Sequence, residues 1–305
     1  MADINYAVEY SNALAQAFPY TLNFGALYNT PNNNRYRWVN AKTVEIPRIS
    51  TSGRVAADRD TVGVAQRNYD NAWETKTLTN QRKWSTLVHP ADINQTNAVA
   101  SISNITQVYN EEQKFPEMDA YTVSKIYNDW LTTTADGEDA TRTADTTALT
   151  TANVLSVFDS LMLKMDNERV PANGRILYCT HEVKALLKNA DQISRSLDVN
   201  TNKGNINRAA NRLEEVEIIG VPATLMKSKY NFTTGWTPTE DADQINMMLV
   251  HPLCVITPVA YSFAKLDEPT AVTEGKYYYY EESFEDVFIL NKKAGGIQFN
   301  ITAHA

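Results

Sequence analysis

The chain is poor in residues that carry chemistry. It has two cysteines among 305 residues, Cys179 and Cys254, too few for a disulfide-stapled scaffold. Both sit in apolar strand-like runs, "RILYC" and "PLCVI", which points to buried, reduced thiols and assembly in a reducing cytoplasm. No glycine-rich phosphate loop, G-x-S-x-G elbow or cysteine quartet occurs. No apolar run approaches the ~20 residues needed to cross a bilayer. The opening "MADINYAVEYSNALAQAF" lacks the basic-then-apolar order of a secretory signal, so the Asn-x-Thr sequons at Asn94, Asn104, Asn231 and Asn300 are expected to be chance matches. Positive charge is also scarce. The formal net charge is −8, which argues against a general nucleic-acid binder and favours solubility.

Motifs that come near to chemistry each lack a part. "HEVKA", His181 to Ala185, begins like a zinc-protease helix, but Ala185 stands where the second histidine belongs. It reads instead as a helix start, with Thr180 as cap and Glu182 favoured by the helix dipole. Cys179 beside His181 suggests a thiol nucleophile, yet Cys179 continues an apolar strand and is expected to be structural. "DVNTNKGNINRA" places Asp198, Asn200 and Asn202 like calcium ligands, but Lys203 and Ala209 replace the required glycine and glutamate. His89 and His251 precede prolines and read as turn residues. The tyrosine run "YYYYEESFEDVFIL" from Tyr277 reads as a strand: aromatic residues favour strands, and alternation sends Tyr277 and Tyr279 to one face, Tyr278 and Tyr280 to the other. No cofactor, metal site or catalytic residue is expected.

What the sequence does contain is layout. Residues 1–41 form an arm. A short helical pattern (Tyr6, Tyr10, Leu14, Ala17) is followed by polar chain with spaced aromatics Phe18, Tyr20, Phe24, Tyr28, Tyr36 and Trp38. These are too dispersed for a core of their own, so the arm must lie on a neighbour or on a helix of its own subunit. Residues 42–90 read as one long hairpin, "KTVEIPRIS" against "TKTLTNQRKWSTLV", with a loop between them that has glycines at 53 and 63 and almost no large apolar residue before Tyr69. Its mixed charges, Arg54, Arg59 and Arg67 against Asp58, Asp60 and Asp70, suit a protein partner better than a phosphate backbone.

Ala98, Ile102, Ile105 and Tyr109 predict a helix; Pro116 starts a second, with Val123, Ile126, Tyr127, Trp130 and Leu131 on one face. A polar linker covers about 132–148. An α+β unit follows: a helix striped by Val154, Phe158, Leu161 and Met165 behind capping threonines 150 and 151, the strand "RILYC", a helix from Thr180 to Leu187, "VEIIGVPATLM" as strand–turn–strand, and a strand run broken at Pro252 and Pro258. "KYYYYEESFEDVFIL" and "IQFNI" are expected to pair as the closing antiparallel strands across a "NKKAGG" turn.

The order of these parts, with "GRILYCTHEVKALLKN", "INRAANRLEEVEIIGVPATLM", "QINMMLVHPLCVITPVAYSFAKLDEP" and "EGKYYYYEESFEDVFILNKKAGGIQFNI", resembles the major capsid proteins of tailed phages, with the Hong Kong 97-type α+β fold, most of all those of phages of Gram-positive bacteria. The resemblance spans essentially the whole chain. It implies an N-terminal arm (1–41), an extended loop (42–90), a peripheral domain (91–145) whose spine helix covers 116–134, an axial domain (146–255), and closing strands (256–305) that return to the peripheral domain and then rejoin the axial sheet. It further implies a non-enzymatic subunit of the virion, assembled in the host cytoplasm without a membrane. Pentamers and hexamers would form an icosahedral shell around double-stranded DNA held without sequence-specific contacts, with a portal and a scaffolding protein as further partners. On this reading the candidate inter-subunit contacts are Phe18, Tyr20, Tyr28, Trp38, Arg54, Arg59, Arg67, Tyr69 and Trp73. A lysine–asparagine crosslink, known in some relatives, is not expected; Lys76 and Lys83 lie in the loop region without an identifiable partner. An encapsulin-type nanocompartment shell shares the fold and is the alternative, as is, more distantly, a hydrolase with its site in 146–255.

Overall fold

A computed structural model of the chain describes residues 20–56, 59–60, 67–95, 101–133, 142–190 and 211–304. The helical pattern of residues 6–17 and the calcium-like loop at 198–209 lie outside them.

The arm joins the subunit's own core. Phe24 and Leu27, around the single turn α1 (Gly25–Tyr28), are fully buried. A 3-10 turn at Pro31–Asn34 follows, capped by the Thr30 hydroxyl, which accepts from the Asn32 N–H. Next come three antiparallel strands, β1 (Arg37–Asn40), β2 (Thr43–Thr51) and β3 (Tyr69–Thr77), in that spatial order. β1 covers β2 only as far as Glu45. Beyond it β2 is an edge, where Pro47 costs no ladder bond.

The hairpin is shorter than the sequence suggests. β2 and β3 pair from Thr43↔Thr77 to Thr51↔Tyr69, but β4 (Gln81–Val88) leaves this sheet for another. The break is at Leu78 and Thr79. Leu78 is buried, and the Thr79 N–H and hydroxyl both donate to the Asp286 carboxylate, at 2.8 and 3.2 Å. Thus the expected second strand is two strands that serve different sheets.

α2 (Pro90–Gln95) leads towards a long helical rod. α3 (Ile102–Tyr109) and α4 (Phe115–Thr132) are not separate helices, as Pro116 had suggested; a π-helical turn at Asn110–Lys114 joins them. In an unbroken α-helix the Pro116 ring would press on the carbonyl four residues back and offer it no N–H. The wider turn, closed by the Phe115 N–H on the Asn110 carbonyl, absorbs the misfit at the cost of one extra residue.

The second half builds a mixed sheet covered on both faces. α5 (Val154–Asn167) starts behind Asn153, with no side-chain cap; Thr150 instead donates its N–H to the Asn153 amide oxygen at 2.7 Å. β5 (Ile176–Thr180) runs into α6 (His181–Lys188), where the Thr180 hydroxyl accepts from the Val183 N–H as the sequence implied. β6 (Arg212–Leu213) and β7 (Val216–Val221) follow. A 3-10 turn at Ala223–Leu225 stands where a further strand was expected, held by the Gln244 amide, which donates to the Ala223 and Met226 carbonyls. β8 (Tyr230–Asn231) and β9 (Thr237–Pro238) form a small hairpin. β10 (Gln244–Val250) is followed by β11 (Val255–Ile256) and β12 (Val259–Asp267), with the interruptions at Pro252 and Pro258. β13 (Tyr277–Glu285), β14 (Phe288–Ile289) and β15 (Ile297–Thr302) close the described chain.

The central sheet has the order β15-β10-β5-β7-β6, with β5 and β7 parallel. Alternation splits its side chains between two cores. Ile176, Tyr178, Met248 and Val250 face α4, where Trp130 and Tyr127 meet Phe299 edge-on, each at 5.1 Å. Leu177, Cys179, Met247 and Leu249 face α5 and α6. The closing strands do not pair with each other: β13 lies between β12 and β4, while β15 returns to β10. A sheet edge beside β10 and a hydrogen-bonded seat beside β4 each take one of them.

Candidate assembly surfaces

No group of three or more His, Cys, Asp or Glu among the described residues is placed to hold a metal ion, and none of their helices is long and apolar enough to cross a membrane. Cys179 and Cys254 are buried free thiols, each pushed up to about 12, first by burial. His89 and His251 cap turns: each Nδ1 accepts a backbone N–H two residues on, from Ala91 and Leu253. His181 stands exposed at the start of α6.

The arm is fastened inwards. Asp119 of α4, with no exposed surface, accepts from the Tyr20 hydroxyl, from the Asn23 N–H at 2.9 Å, and from the Asn23 amide and the Phe24 N–H at 3.3 and 3.4 Å. Burial raises its carboxyl above the ordinary value, an effect these bonds only partly offset. One turn on, Tyr28 and Thr122 share a hydroxyl bond of 2.6 Å. Tyr20 and Tyr28 therefore spend their hydroxyls within the subunit, the second of the two fates the sequence left open for the arm.

The hairpin is bound at its foot. Lys76 Nζ lies 2.9 Å from both Glu74 and the Asn291 amide oxygen, and the Asn291 N–H points back at Glu74, at 3.4 Å. Tyr121 donates to Asp286 at 2.8 Å, alongside the two bonds from Thr79. Past this foot the strands project with little cover. Ile49 is 67% and Tyr69 55% exposed. Trp73 carries the Arg37 guanidinium 3.9 Å above its ring, and Arg67 lies over Tyr69 at 4.9 Å, cation–π contacts that keep both rings at the surface. Trp38 is half-exposed, edge-on to Tyr36. Arg54 and Arg59 are exposed. Of the sequence-derived contact residues the structure thus gathers Arg67, Tyr69 and Trp73 on the projecting hairpin, while Trp38 lies on β1 opposite Val44 at its foot. Phe18 falls outside the described residues.

A second surface escaped the sequence reading. In the sheet β12-β13-β4 one face packs on the long helix: Trp84 stacks on Tyr109 with ring centres 3.9 Å apart, and Lys114 pairs with Glu281 at 3.1 Å. Tyr279 donates to Glu281 and is pushed up to about 12, first by burial. The other face is only partly covered by the described residues. Tyr261 stacks with Phe263, Phe263 lies against Tyr280, and Leu87 stands beside Tyr278 across the strands. Tyr261, Phe263 and Leu87 are 48%, 39% and 56% exposed. The sequence signal was the two-residue alternation in "YSF", masked by the longer apolar run around it. Between this face and the hairpin lies an open groove lined by Trp38, Lys42, Tyr261, Glu282 and Phe284.

No protein-family model matches the chain, and no curated protein is similar to it. Solved structures are. The capsid of cyanophage P-SCSP1u superposes with a TM-score of 0.69 at 12% identity, covering 98% of this chain and 93% of that one. The mature capsid of bacteriophage PhiM1 gives 0.69 at 10% identity, covering 98% and 92%. The capsid of an empty GTA particle gives 0.60 at 10% identity, covering 97% and 95%. The chain has the fold of these phage-type capsid proteins over nearly its full length, and the α+β class expected from the sequence is borne out.

Proposed function

We propose that the chain is the structural major capsid protein of a tailed phage, which assembles as pentamers and hexamers into an icosahedral shell around packaged double-stranded DNA. The observation that carries this reading is the pairing of a projecting hairpin with a partly covered aromatic sheet face. Trp73, Tyr69 and Ile49 on the one, and Tyr261, Phe263 and Leu87 on the other, bury little within the subunit. Burying one such side chain contributes roughly 1.5–3 kcal/mol, so copies that exchange these surfaces gain what one copy cannot supply. Repeated contacts of this unlike-surface kind close into rings. The likeness to capsid structures over 97–98% of the chain supports it and does not favour the encapsulin alternative.

On this reading the work is geometric and the protein is not an enzyme. Further partners would be a portal and a scaffolding protein. An acidic subunit suits a wall from which DNA must slide freely during packaging. The extended-loop, peripheral and axial divisions expected from the sequence belong to the same proposal. Sedimentation and electron microscopy of the purified chain, alone and with its scaffolding partner, test it. Closed shells built of five- and six-fold capsomers are the expected result; a chain that stays monomeric in both conditions overturns it.

A further inference from the structure

A cavity of about 280 Å³ lies between the end of α5 and the 3-10 turn Asn291–Gly296. Its lining is electrically unbalanced. Arg169 and Lys293 both line it, and neither side chain makes an ion pair or hydrogen bond with the described residues. Lys293 acts electrostatically on both His251 and Cys254, which line the same cavity. His251 adds no charge: its Nδ1 accepts from Leu253 and its Nε2 faces the Asn173 carbonyl at 3.1 Å. The acid on the wall, Glu168, is approached by Arg142 at 3.8 Å, so it is shared with a further cation.

Backbone geometry adds to this. Arg169 follows the end of α5 with φ +59, the left-handed conformation in which helices favour glycine. An arginine is held there against its backbone preference, on the cavity wall.

We propose that this cavity binds a compact phosphate-class oxyanion, with Arg169 and Lys293 as its charged contacts. A tetrahedral anion has the several acceptor oxygens that these donors lack. Two sources share that chemistry: free phosphate and the phosphodiesters of duplex DNA.

The test uses the full-length chain, unassembled, so its outcome is independent of the shell reading. Thermal unfolding is followed in potassium phosphate and in potassium chloride at matched pH and ionic strength. A saturable rise in melting temperature specific to phosphate is expected. Arg169→Gly and Lys293→Met should each weaken the fitted affinity roughly tenfold or more, while Lys276→Ala, at an exposed turn, leaves it unchanged. Arg169→Gly relieves the backbone strain, so its unfolding without phosphate should be no lower than wild type; a lost response in a stable protein cannot then be misfolding. A short duplex at equal phosphate concentration forms the second arm. Protection by the duplex assigns the site to DNA phosphates; protection by inorganic phosphate alone assigns a free anion. Equal responses to phosphate and chloride with no protection by the duplex, or an unchanged response in both variants, overturns the proposal.

Discussion

Replacing Asp119 by alanine tests how the arm is held. The carboxylate accepts four hydrogen bonds, two of them from backbone N–H groups at the start of α1. Bonds to a charged acceptor contribute about 1.5–3 kcal/mol each. Counting the Tyr20 and Asn23 N–H bonds in full and the two longer ones at half strength or less gives a loss of roughly 4–7 kcal/mol, each figure being already net of the exchange with water.

Chemical denaturation of Asp119→Ala, Tyr20→Phe and the double variant measures it. Tyr20→Phe should cost about 1.5–3 kcal/mol in the wild-type background and close to nothing without Asp119. A loss below 0.5 kcal/mol on Asp119→Ala, or equal costs of Tyr20→Phe in both backgrounds, would refute the clamp. The pH dependence follows from the raised carboxyl. Above its ordinary value of 3.8 the unfolded chain has released this proton while the folded chain still holds it. This group alone therefore makes stability fall as pH rises from about 3.8 through the higher folded value. Asp119→Asn should flatten that segment of the curve.

Three further outcomes are expected. Gly296→Ala should destabilise the subunit by about 1–3 kcal/mol in urea, since an added Cβ would lie 2.3 Å from the buried Cys254 sulfur; an unchanged midpoint would contradict the packing there. Tyr261→Glu together with Phe263→Glu should leave circular dichroism and melting nearly unchanged yet abolish closed particles in sedimentation, and normal shells would remove the sheet face from assembly. With both thiols pushed up to about 12 and buried, a thiol reagent at pH 8 should label almost nothing in the native chain and two cysteines in urea; fast native labelling would refute the burial.

The central sheet and its helices were legible because their signals are local. "RILYC", the Thr180 cap and the α5 stripe each carry a complete period within a few residues. Pairing partners were less legible. β4 reads as the continuation of β3, and only Asp286, some two hundred residues away, shows why the chain turns at Thr79. The arm looked coreless because its apolar residues are too few to pack on one another, and the core that Phe24 and Leu27 enter is built from α4 and later strands. Of the assembly surfaces, the hairpin aromatics could be found from the lack of local apolar company. Tyr261 and Phe263 were missed because the alternation of "YSF" is embedded in a longer apolar run.

The π-helical turn sets the two halves of the long rod out of phase. One residue more than an α-helix would use is spent at Asn110–Lys114, and each residue advances the helix by about 100°. Tyr109 can thus be aimed at Trp84 of the outer sheet, while Val123, Ile126 and Trp130 are aimed at the central sheet, two targets that no single straight stripe would serve. The rod works as a keyed shaft: a one-residue change in the widened turn would re-index Tyr109 against Trp84 and shift the Lys114–Glu281 pair that the turn itself carries.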